Sequence, residues 1–282
     1  MTIDEIIEKA LEEDIGDGDH TSLSTIPGNT IGKANLIAKE DGVIAGCNIA
    51  KKVFNKIDPE TSVNIFKDDG TRIKIGDIIL SVEGKQHSLL TAERLALNFM
   101  QRMSGIASFT NLVVKKLDGL ETKVLDTRKT TPLLRELEKY SVRMGGGHNH
   151  RMGLFDMIMI KDNHIDFAGG IEQAIDSVHK YLKGNNNQAR AELKIEIEVR
   201  DFIELDKVLA HGGVHRIMLD NFTPVELKKA IGIINKRYET EASGGISIET
   251  IRDYAKTGVD FISVGALTHQ IKSLDMSLIA AE

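Results

Sequence analysis

The chain has one cysteine, Cys47, and 4 prolines among its 282 residues. A single thiol excludes an internal disulfide framework or a cluster of thiolate ligands, so Cys47 reads as a small buried hydrophobe. So few prolines leave no long proline-rich linker. No apolar run approaches the ~20 residues that span a bilayer. The opening, MTIDEIIEKALEEDIGDGDH, is acidic and has no hydrophobic signal core, so a cytoplasmic location is expected. Positive charge is scarce as well, with 36 Lys and Arg against 42 Asp and Glu. General nucleic-acid binding is therefore not expected, because a polyphosphate needs a basic face. Hydrophobic content of 41% is enough to core one large domain or a large one with a smaller partner.

Ile3, Ile6, Ile7, Ala10 and Leu11 share one face of a helix. From 30 to 82, short β-type runs (KANLIAK, GVIAG, SVNIFK, DIILSV) are separated by EDG, DDGT and KIGD turns, the pattern of a small, mostly antiparallel module. Residues 88–117 read as one or two helices, with Gly105 the expected break. After 120 the rhythm changes to KVLDTRK, MIMIKDN, KIEIEVR, RIMLDNF, YETEASGG and DFISVGA, with helical segments between the later runs. Asp201, Thr223 and Ser247 are the expected caps of the last three. Repeated β–α units mean parallel strands with helices outside. An open sheet gathers its site at one switch point, whereas here nearly every run ends in polar residues, which favours a barrel of about six strands.

Charge is unevenly spread. Between 127 and 161 there are seven Lys or Arg against three Asp or Glu, inside a chain of net −6. Arg128 and Lys129 end an apolar strand and read as anion-binding, joined by His150, Arg151 and Lys161. LLRELEKY reads as an ordinary charged helix face, with Arg135, Glu136, Glu138 and Lys139 structural. GGGHNHR allows three readings: backbone amides near an anion, a plain turn, or a metal held by His148 and His150. The last is weak, because two histidines at i, i+2 lack further ligands. Glu198 and Asp220 suit a hard cation such as Mg²⁺, or sugar hydroxyls. ASGGI and SVGAL offer amides to a phosphate. Together these point to phosphosugar chemistry on an acidic small molecule. GTRIKIGDIILSVEGKQ is similar in its turns to a lipoyl or biotin carrier, but Lys85 lacks the hairpin setting such a lysine needs.

The phrases LEEDIGDGDHTS, LTAERLALNFMQRMSGIAS, DTRKTTPLLRELEKYSVRMGGGHNHRMGL, IKDNHI, IEIEVR, IMLDNF, EASGGI and ISVGAL run almost end to end. In order and content they resemble the quinolinate phosphoribosyltransferases, also called carboxylating nicotinate-nucleotide pyrophosphorylases. Two positions depart from the family's habit, Leu133 where glycine is frequent and His20 in DGDH. The resemblance implies an N-terminal α/β sandwich over 1–117, with 269–282 packing on it, and an incomplete α/β barrel over 118–268. It implies a homodimer with shared sites. The implied reaction joins quinolinate to phosphoribosyl pyrophosphate and releases pyrophosphate and CO₂, giving nicotinate mononucleotide for NAD biosynthesis. The alternative is a related enzyme using another acid, such as nicotinate. By resemblance, Arg128, His150, Arg151 and Lys161 grip quinolinate, with Arg94 lent by the partner subunit. Lys129, Glu198 and Asp220 look like the catalytic set for phosphoribosyl pyrophosphate, the two acids also meeting Mg²⁺ partly through water. Ser243, Gly244, Gly245 and Gly265 look like the 5′-phosphate cradle.

Overall fold

The computed structural model describes residues 1–184 and 192–281. Two compact units emerge, and they interleave along the chain. Unit 1 comprises Met1–Leu112, Thr130–Gly146 and Leu267–Glu282; unit 2 comprises Val113–Lys129 and Gly147–Ala266. Residues 130–146 thus group with unit 1, although the sequence places them within a barrel running from 118 to 268.

Unit 1 is built on an antiparallel sheet. Strand β1 (Ile31–Ala38) pairs with β5 (Ile78–Lys85) on one side and with β12 (Met276–Ala281) on the other, and β5 also pairs with β3 (Ser62–Ile65). Alternation along β1 buries Ala34, Leu36 and Ala38, as a sheet with one covered face requires. Three helices contribute to the same core: α1 (Ile3–Ile15) through Ile7, α3 (Cys47–Ile57) through Val53 and Phe54, and α4 (Gln86–Lys115) through Met100. Cys47 is buried in it.

Helix α4 runs unbroken through Gly105. The glycine serves close approach: a Cβ there would lie 2.3 Å from the Lys272 carbonyl oxygen and 3.1 Å from Ser273 Cα. Helix α5 (Arg135–Met144) is not the solvated face its composition suggests, because Glu138 and Lys139 are both buried. Arg102 on α4 donates from Nε to Glu138 at 2.9 Å and from Nη2 to Thr131 at 2.7 Å, and the Thr131 amide donates to Glu138 at 3.1 Å. Counting charges along α5 could not separate this clasp from a surface pair. Just before α5, Leu133 is exposed with φ 69°, the left-handed region where glycine costs least.

Unit 2 holds, among the described residues, six parallel strands in the order β6 (Lys123–Leu125), β11 (Phe261–Ser263), β10 (Glu239–Ser243), β9 (Arg216–Asp220), β8 (Ile195–Val199), β7 (Ile158–Ile160). A parallel bridge from His148 to Leu125 adds a further position beside β6. Helices α8 (Phe202–His211) and α9 (Pro224–Ile234) are capped by Asp201 and Thr223. Ser247 opens a turn instead: α10 (Ile251–Ala255) begins after Thr250. The sheet curls strongly. Five strand spacings separate the His148 position from β8, about 24 Å in a flat sheet. Yet His150 Nε2 lies 3.0 Å from Glu196 Oε2 on β8. Only a barrel wall brings those ends together, and β6 and β7 remain unpaired with each other, so the barrel is incomplete.

Gly105→Ala is expected to lower stability by a net ~1–3 kcal/mol, because overpacking against backbone outweighs alanine's ~1 kcal/mol helix advantage. Urea denaturation monitored by circular dichroism measures it; an unchanged or raised midpoint would contradict the close-approach explanation.

Candidate active site

Parallel strands in register deliver their last residues to one rim. Arg128 and Lys129 lie three and four residues past Leu125, which ends β6. His150 and Arg151 follow the bridge at His148, and Lys161 follows β7 directly. Glu198 is the penultimate residue of β8, Asp220 the last of β9 and Ser243 the last of β10. Gly265 stands two residues beyond β11. The structure thus gathers eleven of the twelve expected site residues, counting Gly244 and Gly245, at the carboxyl ends of unit 2. The twelfth, Arg94, is exposed on α4 in unit 1.

Two cations stand close at this rim. Burial, together with the neighbouring Arg128 guanidinium, pushes the pKa of Arg151 down. Glu196 and Asp156 act the other way on Arg151, so this part of the rim carries acids beside its cations. Beside them, Lys161 Nζ is 2.7 Å from Glu198 Oε2. Asp220 is held at both oxygens: Ser243 Oγ donates to Oδ1 at 2.5 Å and Asn221 Nδ2 to Oδ2 at 2.6 Å. Asn221 itself has φ 58°, a conformation asparagine tolerates better than most residues. The turn that follows Ser243 has positive φ at Gly244 (96°) and Gly245 (61°). A Cβ on Gly244 would stand 2.2 Å from Asn221 Oδ1. Glycine is therefore required there by conformation and by contact.

His150 is buried, and its ring nitrogens face protein groups. Nδ1 accepts the Arg151 amide N–H at 2.6 Å, while Nε2 faces Glu196 at 3.0 Å and Glu241 at 3.4 Å. Burial opposes charge on the ring, but the two carboxylates outweigh it and raise its pKa to about 9. A second proton, on Nδ1, can enter only if the amide contact opens. Burial and then repulsion from Glu241 raise Glu196 to about 7; Glu241 is lowered, since His150 and Arg216 outweigh its burial. The family resemblance puts His150 in the grip on the acid; its ring nitrogens face the barrel wall and the next peptide. The three glycines also resolve in part. The Gly145 and Gly146 amides donate back to Ser141 and Arg143, ending α5, so for these two the turn reading holds. Gly145 additionally packs on α4, where a Cβ would lie 2.4 Å from the Ala107 carbonyl.

For a cation, the rim offers Glu198 and Asp220 from adjacent strands. The register sets Glu198 opposite Met218, which puts Asp220 two residues on and on the same face. Hard carboxylate oxygens from one face suit Mg²⁺ completed by water and phosphate. A second set, His150, Glu196 and Glu241, keeps its ligand atoms within 4.8 Å of one another deeper in the barrel.

Residues 19–104 match the N-terminal domain of the quinolinate phosphoribosyl transferases, and residues 106–279 match the C-terminal domain. The chain belongs to the quinolinate phosphoribosyltransferase family. Its similarity to "Nicotinate-nucleotide pyrophosphorylase [carboxylating], chloroplastic" of Arabidopsis thaliana is 46% identity, covering 97% of this chain and 81% of that one. To the "Probable nicotinate-nucleotide pyrophosphorylase [carboxylating]" of Bacillus subtilis it is 43%, covering 94% and 89%. Among solved structures, NadC from Streptococcus pyogenes superposes with a TM-score of 0.92 at 40% identity, covering 99% of this chain and 97% of that one.

Within this phosphoribosyltransferase fold, Glu196, Glu241 and Arg216 went unnoticed in the sequence, and Asn221 stood out only as a polar strand ending. A signal for two of them was present. IEIEV and ETEAS place acids at alternate positions in strands that parallel architecture buries on both faces. Gly244→Ala is expected to cost ~1–3 kcal/mol through backbone strain and contact. A crystal structure of that variant should show the Asp220 carboxylate released from Asn221; an undisturbed Asp220 would argue against this support.

Proposed function

We propose that this quinolinate phosphoribosyltransferase joins quinolinate to phosphoribosyl pyrophosphate, with decarboxylation, to give nicotinate mononucleotide, pyrophosphate and CO₂ for NAD biosynthesis. The observation that carries the reading is the gathering of Arg128, Arg151 and Lys161 at the carboxyl ends of the barrel strands. Like charges are held together where an anion is to be bound, and a dicarboxylate answers two arginines and Lys161 better than a monocarboxylate does. His150 completes this set from behind Arg151, and Arg94 of the partner subunit joins it in a homodimer. Lys129 and the Ser243–Gly245 turn with Gly265 serve the pyrophosphate and the 5′-phosphate.

The cations hold the two carboxylates so that the pyridine nitrogen faces the anomeric carbon. Such alignment supplies much of the rate by proximity. The nitrogen lone pair forms the new C–N bond as the bond to pyrophosphate breaks and its electrons leave with the oxygen. Lys129 offsets the charge growing on the leaving group, while Glu198 and Asp220 face the cationic sugar. Mg²⁺, held by Glu198 and Asp220 partly through water, would neutralise pyrophosphate charge when bound. No general base is needed, since the pyridine nitrogen has no proton to lose. Once alkylated, the ring is cationic and stabilises the carbanion left at C2 as the C2 carboxylate departs; that carbon then takes a proton.

Among the described residues, no helix is long and apolar enough to cross a membrane. The enzyme of this reading acts in the cytoplasm.

Incubation with quinolinate, phosphoribosyl pyrophosphate and Mg²⁺ should yield nicotinate mononucleotide; turnover of nicotinate but not quinolinate would overturn the reading. Arg128→Ala and Lys161→Ala should each lower kcat/KM by about 1.5–3 kcal/mol, roughly ten- to a hundredfold. Chelation should abolish turnover, and full activity in chelator would refute the Mg²⁺ role. Mixing Arg94→Ala with Arg128→Ala subunits should restore partial activity; no recovery would count against sites shared across a dimer.

A further inference from the structure

The inner wall of unit 2 departs from what such barrels usually hold. Inward positions are normally branched apolar residues stacked in layers. Here Glu196 and Glu241 point inward and are fully buried. Arg216 Nη1 lies 2.9 Å from Glu241 Oε2, and its register partner on β8 is Glu196. Arg216 is itself anchored, bonding Glu239 at 3.0 Å and stacking 4.1 Å over the Phe261 ring. Burying such charges is expensive even when they are paired, and apolar residues of similar volume often do as well or better for stability. Both glutamates start two residues before Glu198 and Ser243 on the same strands, and Glu196 is close enough to favour the charge on Arg151.

The cluster's link to the rim is His150. Its Nε2 faces both carboxylates and its Nδ1 accepts from the Arg151 amide. Its own amide donates to Asp126 Oδ1 at 2.8 Å, two residues before Arg128. Neither oxygen of Glu196 nor His150 Nε2 has a hydrogen bond of good geometry among the described residues, so carboxylate and imidazole meet at 3.0 Å as charge facing a polar ring edge.

We propose that Glu196 and Glu241, braced by Arg216, are positioning residues that fix the His150 ring with Nδ1 toward the Arg151 amide, and so set the Arg151 guanidinium beside Arg128. The role rests on the quinolinate reading. His150 acts through Arg151 instead of touching the acid. The same three donors could hold a cation, but Arg216 already brings positive charge to them.

The test uses the full-length enzyme, with ¹⁵N-labelled histidine and His150→Gln to assign the signal. In the wild type at pH 10, above the ring's pKa of about 9, the His150 ring should appear with Nε2 protonated and Nδ1 accepting. Any other tautomer would overturn the proposal, whether or not the protein makes nicotinate mononucleotide. Glu196→Gln and Glu241→Gln should shift that signal and raise KM for quinolinate at least tenfold, leaving KM for phosphoribosyl pyrophosphate within twofold. Equal rises in both KM values with a lowered Tm would mark a merely structural role and sink the idea. So would unchanged signals and KM, or one tightly held metal ion per chain that Glu196→Gln releases. Should either variant fail to fold, the wild-type tautomer and the surviving variant still decide the matter.

Discussion

Parallel strands in register impose the constraint on which this protein's chemistry depends. Such strands all point one way, so whatever follows each of them arrives at one rim. Arg128, Arg151, Lys161, Glu198, Asp220 and Ser243 are scattered over 116 positions of sequence, yet each stands at or just past a strand end. The antiparallel sheet of unit 1 cannot do this, because its neighbouring strands end at opposite edges.

Gathering cations has an electrostatic cost, visible at Arg151, where burial and the Arg128 charge both disfavour the proton. The rim manages it with fixed opposite charge. Lys161 rests on Glu198, while Asp220 is held by a hydroxyl and an amide. Below the rim, two buried carboxylates face one imidazole and one guanidinium. An anionic substrate entering this field meets positive charge that is already oriented, which is the economical way to stabilise a charged transition state.

Much was legible without coordinates. The polar endings of apolar runs announced the rim, and Asp201 and Thr223 announced two helix starts. Other readings failed for identifiable reasons. Gly105 suggested a break because glycine weakens helices, but its role is contact with the chain near Lys272. LLRELEKY looked solvated because composition does not say which side of a helix another segment covers; Glu138 meets Arg102, 36 residues earlier. The surroundings of His150 were not legible either, since nothing local reveals that Glu196 and Glu241 lie behind it.

By itself, the sequence determined the element types, the parallel architecture of the second half and the kinds of charge at each strand end. These follow from local periodicity and from residues a few positions apart. Only the tertiary structure decided which polar groups meet: Asn221 with Asp220 and Gly244, Arg102 with Glu138, and His150 with two glutamates from different strands. The reason is curvature. Closing the sheet brings together side chains five strand spacings apart, and no pattern along the chain encodes that distance.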